Sequence, residues 1–477
     1  MEQPCVHSCK LIFVHPFIYE DPQHGQIVQS LLCPQSQWQL KVYQHNVEAD
    51  RLRTEYFLPH IIKFLFPTMY CSSTEYEAIG KQSASILQEL SSLDFVMKPE
   101  DLEKYRKFHL SGDAAEYDLS FENICLKVFN GGVGFLFFEI SPDVEGLTLN
   151  DVITINQLLR PIRPLYQGSP VATLIQKSRD RIVTVKNLLE ELLNEIYHSH
   201  VYSTHYNIYM DRLLFYTYVC LNRHSLTDNR WIYQRLDLLE ALRGLSHYYP
   251  YQENTHVISP QEEEAIYYSR HKSSIYGFSK EGGVLLSMDR DPSGRIIPPN
   301  ADAAYIPNYF STYYLDIFLL ALYQRISLIN YCRKLSMIKS ILSDKNQIEH
   351  IRFEILKFTN TAWFTQITNA ELGMGIWKHW FRLFDNDILY AEVKQGLDEL
   401  DDFLENKRQS RFSLKLGIVT ALTIPPTLIF SYVGNRFEEI RLQNLLHPRF
   451  LISSFLLFSG MLGILYVVDR YYSRPYK

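Results

Sequence analysis

LGIVTALTIPPTLIFSYVGN, from Leu416 to Asn435, and FLISSFLLFSGMLGILYVV, from Phe450 to Val468, contain no charged residue. A helix rises about 1.5 Å per residue, so roughly 20 apolar residues cross a hydrocarbon layer of ~30 Å. Each stretch is long enough. They read as two membrane-spanning helices over residues 413–435 and 450–468, joined by an external loop over 436–449 and followed by a basic tail over 469–477. The competing reading is a helical pair buried in a soluble core, and two adjacent charge-free stretches of this length argue against it. Lys407, Arg408, Arg411 and Lys415 precede the first stretch, and Arg470, Arg474 and Lys477 follow the second. An even number of spans puts both basic flanks on one side, which the positive-inside bias makes the cytosol. Arg436, Arg441 and Arg449 against Glu438 and Glu439 keep the loop's asymmetry modest.

Within the first span Thr420, Thr423, Thr427, Ser431 and Asn435 recur at steps of three and four, which place them on one helical face. Such a stripe either lines a shared axis or packs against a neighbouring helix through small hydroxyls. Pro425 and Pro426 remove backbone donors mid-span and read as a hinge. Ser459, Gly460 and Gly463 give the second span close-packing positions.

Upstream, Leu389, Val393, Leu397, Leu400 and Leu404 form an apolar seam at helical spacing, predicting a helix from about Asn386 into the first span without interruption. Asp398, Glu399, Asp401, Asp402 and Glu405 lie on and beside its other faces, either as a solvated face or as a cation-attracting ring. Tyr309 to Ser343 and Ile348 to Thr368 also read as helices, with a Gly- and Trp-bearing break between Asn369 and Asp385. The first part of the chain mixes the two periodicities. Leu11 to Tyr19, Gln39 to Tyr43, Ile124 to Phe129, Phe135 to Ile140, Leu213 to Cys220 and Val284 to Met288 read as strands, and Thr173 to His198 as a long amphipathic helix. The fold class is therefore an α/β or α+β domain, then stalk helices, then a two-helix transmembrane hairpin.

Composition narrows the function. The 477 residues carry 47 basic and 53 acidic side chains, a net charge of −6, and no global field that would hold a nucleic-acid backbone directly. The 33 Tyr and 28 Phe read as a thick core or as stacking surfaces. Seven scattered Cys, never spaced as CxxC, fit reduced thiols. Met1 to Lys10 has no basic leader, and the apolar run Leu11 to Phe17 is broken by His15 and Pro16, so no secretory signal is expected and the bulk is expected in the cytosol.

The chain shows no catalytic constellation and is not expected to be an enzyme. Asn130, Gly131, Gly132, Val133, Gly134 precede FLFFEI, another strand, so they read as a hairpin turn and not a phosphate loop; Glu281, Gly282, Gly283 read the same way. His198, His200 and His205 raise a metal site, but no Cys or carboxylate stands at ligand spacing, and a polar loop is the other reading; no metal is expected.

The end of the first span, from Pro425 to Asn435, resembles CorA-type magnesium channels, where a Pro-x-Thr-Phe-Ile run leads into a Gly-Met-Asn signature. Gly434 and Asn435 match that signature and its Met is missing. The order of parts is similar too. The resemblance implies a homo-oligomer, five subunits in this superfamily, with both termini cytosolic at the inner membrane. The missing Met puts magnesium selectivity in question while leaving a pore. GVGFLFFE and YLDIFLLALYQR are similar to the branch that accompanies type III CRISPR systems. That branch is gated by a nucleotide messenger made from S-adenosylmethionine and ATP, of SAM-AMP type. On this resemblance residues 1–305 would be a ligand-sensing domain and 306–412 the stalk. No cofactor is required; the messenger is the activating ligand and Mg2+ an alternative cargo. A messenger of adenine and phosphate needs aromatic faces and cationic donors, and Arg160, Arg163, Tyr276 and Lys280 are the candidates. A divalent-cation transporter and a pore-less, membrane-anchored binding scaffold stay open as alternatives.

Overall fold

The computed structural model describes residues 5–20, 23–44, 47–70, 87–112, 115–163, 172–197, 211–222, 242–243, 266–269, 274–288, 302–338, 345–436 and 459. The chain divides into two compact units, Met1–Asn330 with Lys357–Leu389, and Tyr331–Leu356 with Tyr390–Lys477. Helices reaching into the second unit begin upstream of its boundaries, so residues 306–330, expected in the stalk, belong to the first unit.

The first unit is built on one mixed sheet. Its strands are β1 (Val6–Ile18), β2 (Trp38–Leu40), β3 (Ser92–Met97), β4 (Lys107–Ser111), β5 (Glu116–Phe129), β6 (Val133–Pro142), β7 (Thr173–Gln176), β8 (Arg181–Val183), β9 (Leu214–Leu221), β10 (Tyr267–Tyr268), β11 (Ser274–Ser279) and β12 (Gly282–Met288). The spatial order is β10-β11-β12-β9-β1-β6-β5-β4-β7-β8, with β3 pairing both β5 and β2. β12 runs parallel to β9, and the other pairs are antiparallel. β5 serves two neighbours on one side. Its first half pairs β4 and its second half β3, and the register shifts between Phe121 and Asn123 against β6. A bulge there lets one long strand bend from one partner to the next.

Helices follow in chain order: α1 (His24–Leu31), α2 (Glu48–Thr54), α3 (Pro59–Leu65), α4 (Pro99–Leu102), α5 (Leu149–Leu159), α6 (Val185–Leu192), α7 (Asn194–Tyr197), α8 (Asp302–Tyr309), α9 (Leu315–Ser336), α10 (Lys345–Thr361), α11 (Glu371–Leu383) and α12 (Asn386–Arg436). Strand alternation divides the core into two layers. On one face Leu11, Phe13 and Phe17 of β1, Leu136, Phe138 and Ile140 of β6 and Ile124, Leu126 and Val128 of β5 share a cluster with Ile27 and Val28 of α1, Val152 of α5 and Leu188 of α6. On the other, Tyr216 of β9 stacks on Phe310 at 4.2 Å and on Phe318 at 5.2 Å, and Phe129 of β5 stacks on Tyr323 at 4.3 Å. Offset aromatic pairs of this kind add to the area they bury. Tyr and Phe thus fill both layers, Phe13, Phe17, Phe121 and Phe138 in the first and the Tyr216 and Tyr323 stacks in the second.

The two glycine clusters are hairpin turns, closing β5–β6 and β11–β12. Three expectations are corrected. Thr173 to His198 is not one helix: Thr173–Gln176 and Arg181–Val183 pair as a hairpin, with Asp180 at φ 45° in its turn, and α6 starts after Thr184, whose hydroxyl accepts from Asn187 N–H. β-branched and polar residues around a tight turn outweigh the apolar spacing. The break between Asn369 and Asp385 is α11, which buries Trp377 and Trp380. Its glycines serve close packing, since a Cβ at Gly373 would stand 2.0 Å from the Tyr313 hydroxyl. The first predicted stalk helix enters through a π-helical turn, Phe310–Tyr314, and ends at Ser336, short of Ser343.

The helix α12 begins in the last residues of the first unit and is unbroken from Asn386 to Arg436, running helically through Pro425 and Pro426. Along its seam Val393 and Leu397 are buried and Leu389, Leu400 and Leu404 half-buried, while Asp398, Glu399, Asp402 and Glu405 are exposed. Lys334 donates to both oxygens of the buried Glu354, at 2.9 and 2.7 Å, joining α9 to α10. Among the described residues no helix is long and apolar enough to cross a membrane. The second predicted span, apart from Ser459, lies outside the described residues, as do the side chains of Pro425, Pro426, Ser431, Gly434 and Asn435.

Candidate functional site

α5 opens with a reciprocal cap, Thr148 Oγ1 accepting from Asp151 N–H while Asp151 Oδ2 accepts from Thr148 N–H. Leu149, Val152 and Leu159 bury its inner face. The helix stops at Arg160 because Pro161 follows, and the freed carbonyl of Arg160 accepts from Leu213 N–H at 2.7 Å. Ile162 N–H donates to Asp211 C=O at 2.8 Å. These bonds set the helix end beside the start of β9. Arg160 is buried, its guanidinium lies 4.8 Å from the Phe215 ring centre, and its Nη2 pairs with Glu281. A cation at a helix C-terminus is also favoured by the helix dipole.

Glu281 sits in the β11–β12 turn, and its carbonyl accepts from Phe215 N–H at 3.1 Å. Its other carboxylate oxygen accepts from Arg212 Nη1 at 2.6 Å. Arg212 is steadied in turn by Asp211, with Nε at 3.0 Å and Nη2 at 2.6 Å from Asp211 Oδ2. The result is a two-arginine fork closed on one carboxylate. Arg160 Nε, shielded from solvent, makes no hydrogen bond among the described residues.

Of the four ligand candidates, the structure brings Arg160 and the turn that carries Lys280 together, while Lys280 itself pairs with Asp385. Arg163 is exposed, and its backbone N–H reaches Asp211 C=O at 3.4 Å. Tyr276 is elsewhere, buried among Tyr268, Phe278 and Tyr314, and burial holds its hydroxyl well above the usual range. It is a core residue. Arg212 escapes sequence reading, and Glu281 is visible there only as part of a turn. Neither stands at a spacing that ties it to Arg160 before the sheet is built.

A second polar cluster lies on the opposite side of the sheet. Lys127 of β5 donates to Asp94 at 2.9 and 2.7 Å and to Leu65 C=O at 3.0 Å, almost wholly buried. Arg53 of α2 pairs with Asp316 of α9 at 3.3 Å and donates to the Tyr43 hydroxyl at 3.2 Å. Burial pushes the Asp316 carboxyl up to about 6, against the pull of Arg53. The unfolded group titrates near 3.9. Between these values the folded chain holds a proton that the unfolded chain has released, so this group's contribution falls as pH rises from about 4 to 6. Arg53 stays charged throughout. The unfolding free energy of Asp316→Asn measured against the parent should therefore shift by roughly 2–3 kcal/mol between pH 4 and 7, the parent losing ground. A difference that stays flat with pH would place the titration near its ordinary value.

On α12 the described members of the hydroxyl stripe, Thr420, Thr423 and Thr427, are exposed. Thr420 donates to Leu416 C=O at 2.8 Å, Thr423 to Val419 C=O at 3.0 Å, and Thr427 to Thr423 C=O. Each hydroxyl satisfies itself on its own helix. His198, His200 and His205 lie outside the described residues, and no group of potential metal ligands occurs among the described ones.

No family model matches the chain, and no curated protein matches it. Among solved structures it is similar to the CorA magnesium transporter from Methanocaldococcus jannaschii. The identity is 12%, the TM-score 0.20, and the match covers 55% of this chain and 91% of that one, a likeness too slight to carry an argument.

Proposed function

We propose that the chain is one subunit of a homo-oligomeric, CorA-like membrane channel, opened when a nucleotide messenger binds its sheet-bearing unit. The observation that carries this reading is the unbroken helix Asn386–Arg436, which leads from a buried, folded start into the charge-free stretch that begins at Leu416. At about 1.5 Å per residue it extends for roughly 75 Å. Its internal hydrogen bonds let a tilt at one end appear at the other. Binding shifts such an equilibrium only by its preference for the open state.

The finer reading follows the resemblance of the Pro425–Asn435 segment and of the aromatic strand stretches: five subunits, a SAM-AMP-type ligand and a role as a type III CRISPR-associated antiviral effector. The chain is assigned no catalysis. The test is ion flux in proteoliposomes holding the full chain. SAM-AMP should raise the flux, and Thr427→Leu and Asn435→Leu should cut it about tenfold or more, since each replaces a polar stripe member by a bulky apolar one. Flux that ignores the ligand and rescues magnesium-starved cells would assign a constitutive transporter. No flux under any condition would leave a binding scaffold.

A further inference from the structure

We propose that the fork of Arg160 and Arg212 is a phosphate-binding site held shut by Glu281, a carboxylate of the chain itself. The proposal deepens the ligand-gated reading above and rests on it.

Planar guanidiniums match the oxygens of carboxylates and phosphates equally well, and two of them converging on one oxyanion is the usual arrangement for phosphate. Here the two point at the single negative charge of Glu281. A phosphate group carries up to two charges and three acceptor oxygens, so it would take the place of the Glu281 carboxylate on both guanidiniums and still offer an acceptor to a donor that the carboxylate leaves unmet, while Asp211 keeps its own pair with Arg212. The unmet donor is present: Arg160 Nε is shielded from water and has no acceptor among the described residues. The fork is also reachable. Arg160 is 6% exposed, but Arg212 is 17% and Glu281 25% exposed, so the buried cation forms the floor and the carboxylate a removable cover. Asp211 holds Arg212 from the side and leaves its Nη1 for the shared anion. Phe215 backs the Arg160 plane, as an aromatic face does for a desolvated guanidinium.

The backbone of Glu281 is anchored, its carbonyl tied to Phe215 N–H, so the carboxylate leaves the fork by rotation of its own side chain. Lys280, the neighbouring residue, is ion-paired to Asp385, immediately before α12. Displacement of the carboxylate therefore takes place one residue from the ion pair at the root of the long helix.

The test uses the full chain in detergent, titrated calorimetrically with inorganic pyrophosphate at low ionic strength. Glu281→Gln keeps the shape and removes the competing charge, so pyrophosphate should bind about tenfold more tightly than to the parent. Pyrophosphate should also raise the variant's melting temperature more than the parent's. Glu281→Asp, a shortened latch less exposed to a folding defect, should fall between. Adding Arg160→Met to Glu281→Gln should abolish the gain. A nucleotide that binds more tightly than pyrophosphate would assign the phosphate to a nucleotide; equal binding would assign it to the free anion. If neither Glu281→Gln nor Glu281→Asp binds pyrophosphate more tightly than the parent, the proposal falls and the fork is a structural ion pair. Binding is read without flux, so a channel that fails to open leaves this result standing.

Discussion

Replacing Lys127 by methionine is expected to destabilise the fold by about 3–5 kcal/mol, the cost of leaving one buried charge of a close pair uncompensated. Both oxygens of Asp94 depend on Lys127 Nζ, and Leu65 C=O accepts its third hydrogen bond. The ammonium also lies 4.9 Å from the Phe66 ring centre and 5.6 Å from that of Phe129, so methionine keeps much of the packing and loses the charge with its hydrogen bonds. The control is the pair: Asp94→Leu added to Lys127→Met removes the orphaned carboxylate and should recover most of the loss, because a buried ion pair replaced whole by apolar groups is often neutral. Urea unfolding followed by circular dichroism measures both. A loss below about 1 kcal/mol for the single variant would mean that water reaches Asp94 and that the cluster is not a dry one.

Lys127 also marks where sequence reading ends. ICLKVF reads as a strand from its β-branched and aromatic residues, and alternation puts Lys127 beside Cys125 and Phe129 on one face. On a sheet wet on one side that face would be the solvent face. Here it is covered by Phe66 and Tyr323, supplied from residues far along the chain. Local pattern reports which residues share a face and not what covers it. The same limit explains the fork: Arg160 is legible as a cation after a helix, but its partners arrive from β9 and the β11–β12 turn. What depends on neighbours in sequence is legible, including both hairpin turns, the long central strands β1, β5, β6 and β9 and the start of α12. What depends on tertiary cover is not, and α11 escapes because its glycines read as breakers when they admit Tyr313 and Tyr268.

The β11–β12 turn offers the second large effect. Gly282 has φ 150°, and a Cβ there would stand 1.9 Å from the backbone oxygen of Phe215, its partner in the parallel pairing of β12 with β9. No rotamer relieves a clash between two backbones. Gly282→Ala should therefore cost about 3 kcal/mol, the upper end for a residue forced into backbone geometry its side chain forbids. Gly146 separates the two components of that cost: it has φ 69° with no atom of the described residues within 4 Å of where a methyl would stand, so Gly146→Ala carries conformational strain alone and should cost about 1 kcal/mol. Thermal and urea unfolding of the two variants should differ accordingly, and equal losses would refute the steric account. The larger cost has a functional consequence, because the strand pair that Gly282 permits is the one that brings Glu281 and Phe215 to Arg160. Gly282→Ala should thus also loosen the fork, and its pyrophosphate affinity should move away from the parent's while that of Gly146→Ala stays put.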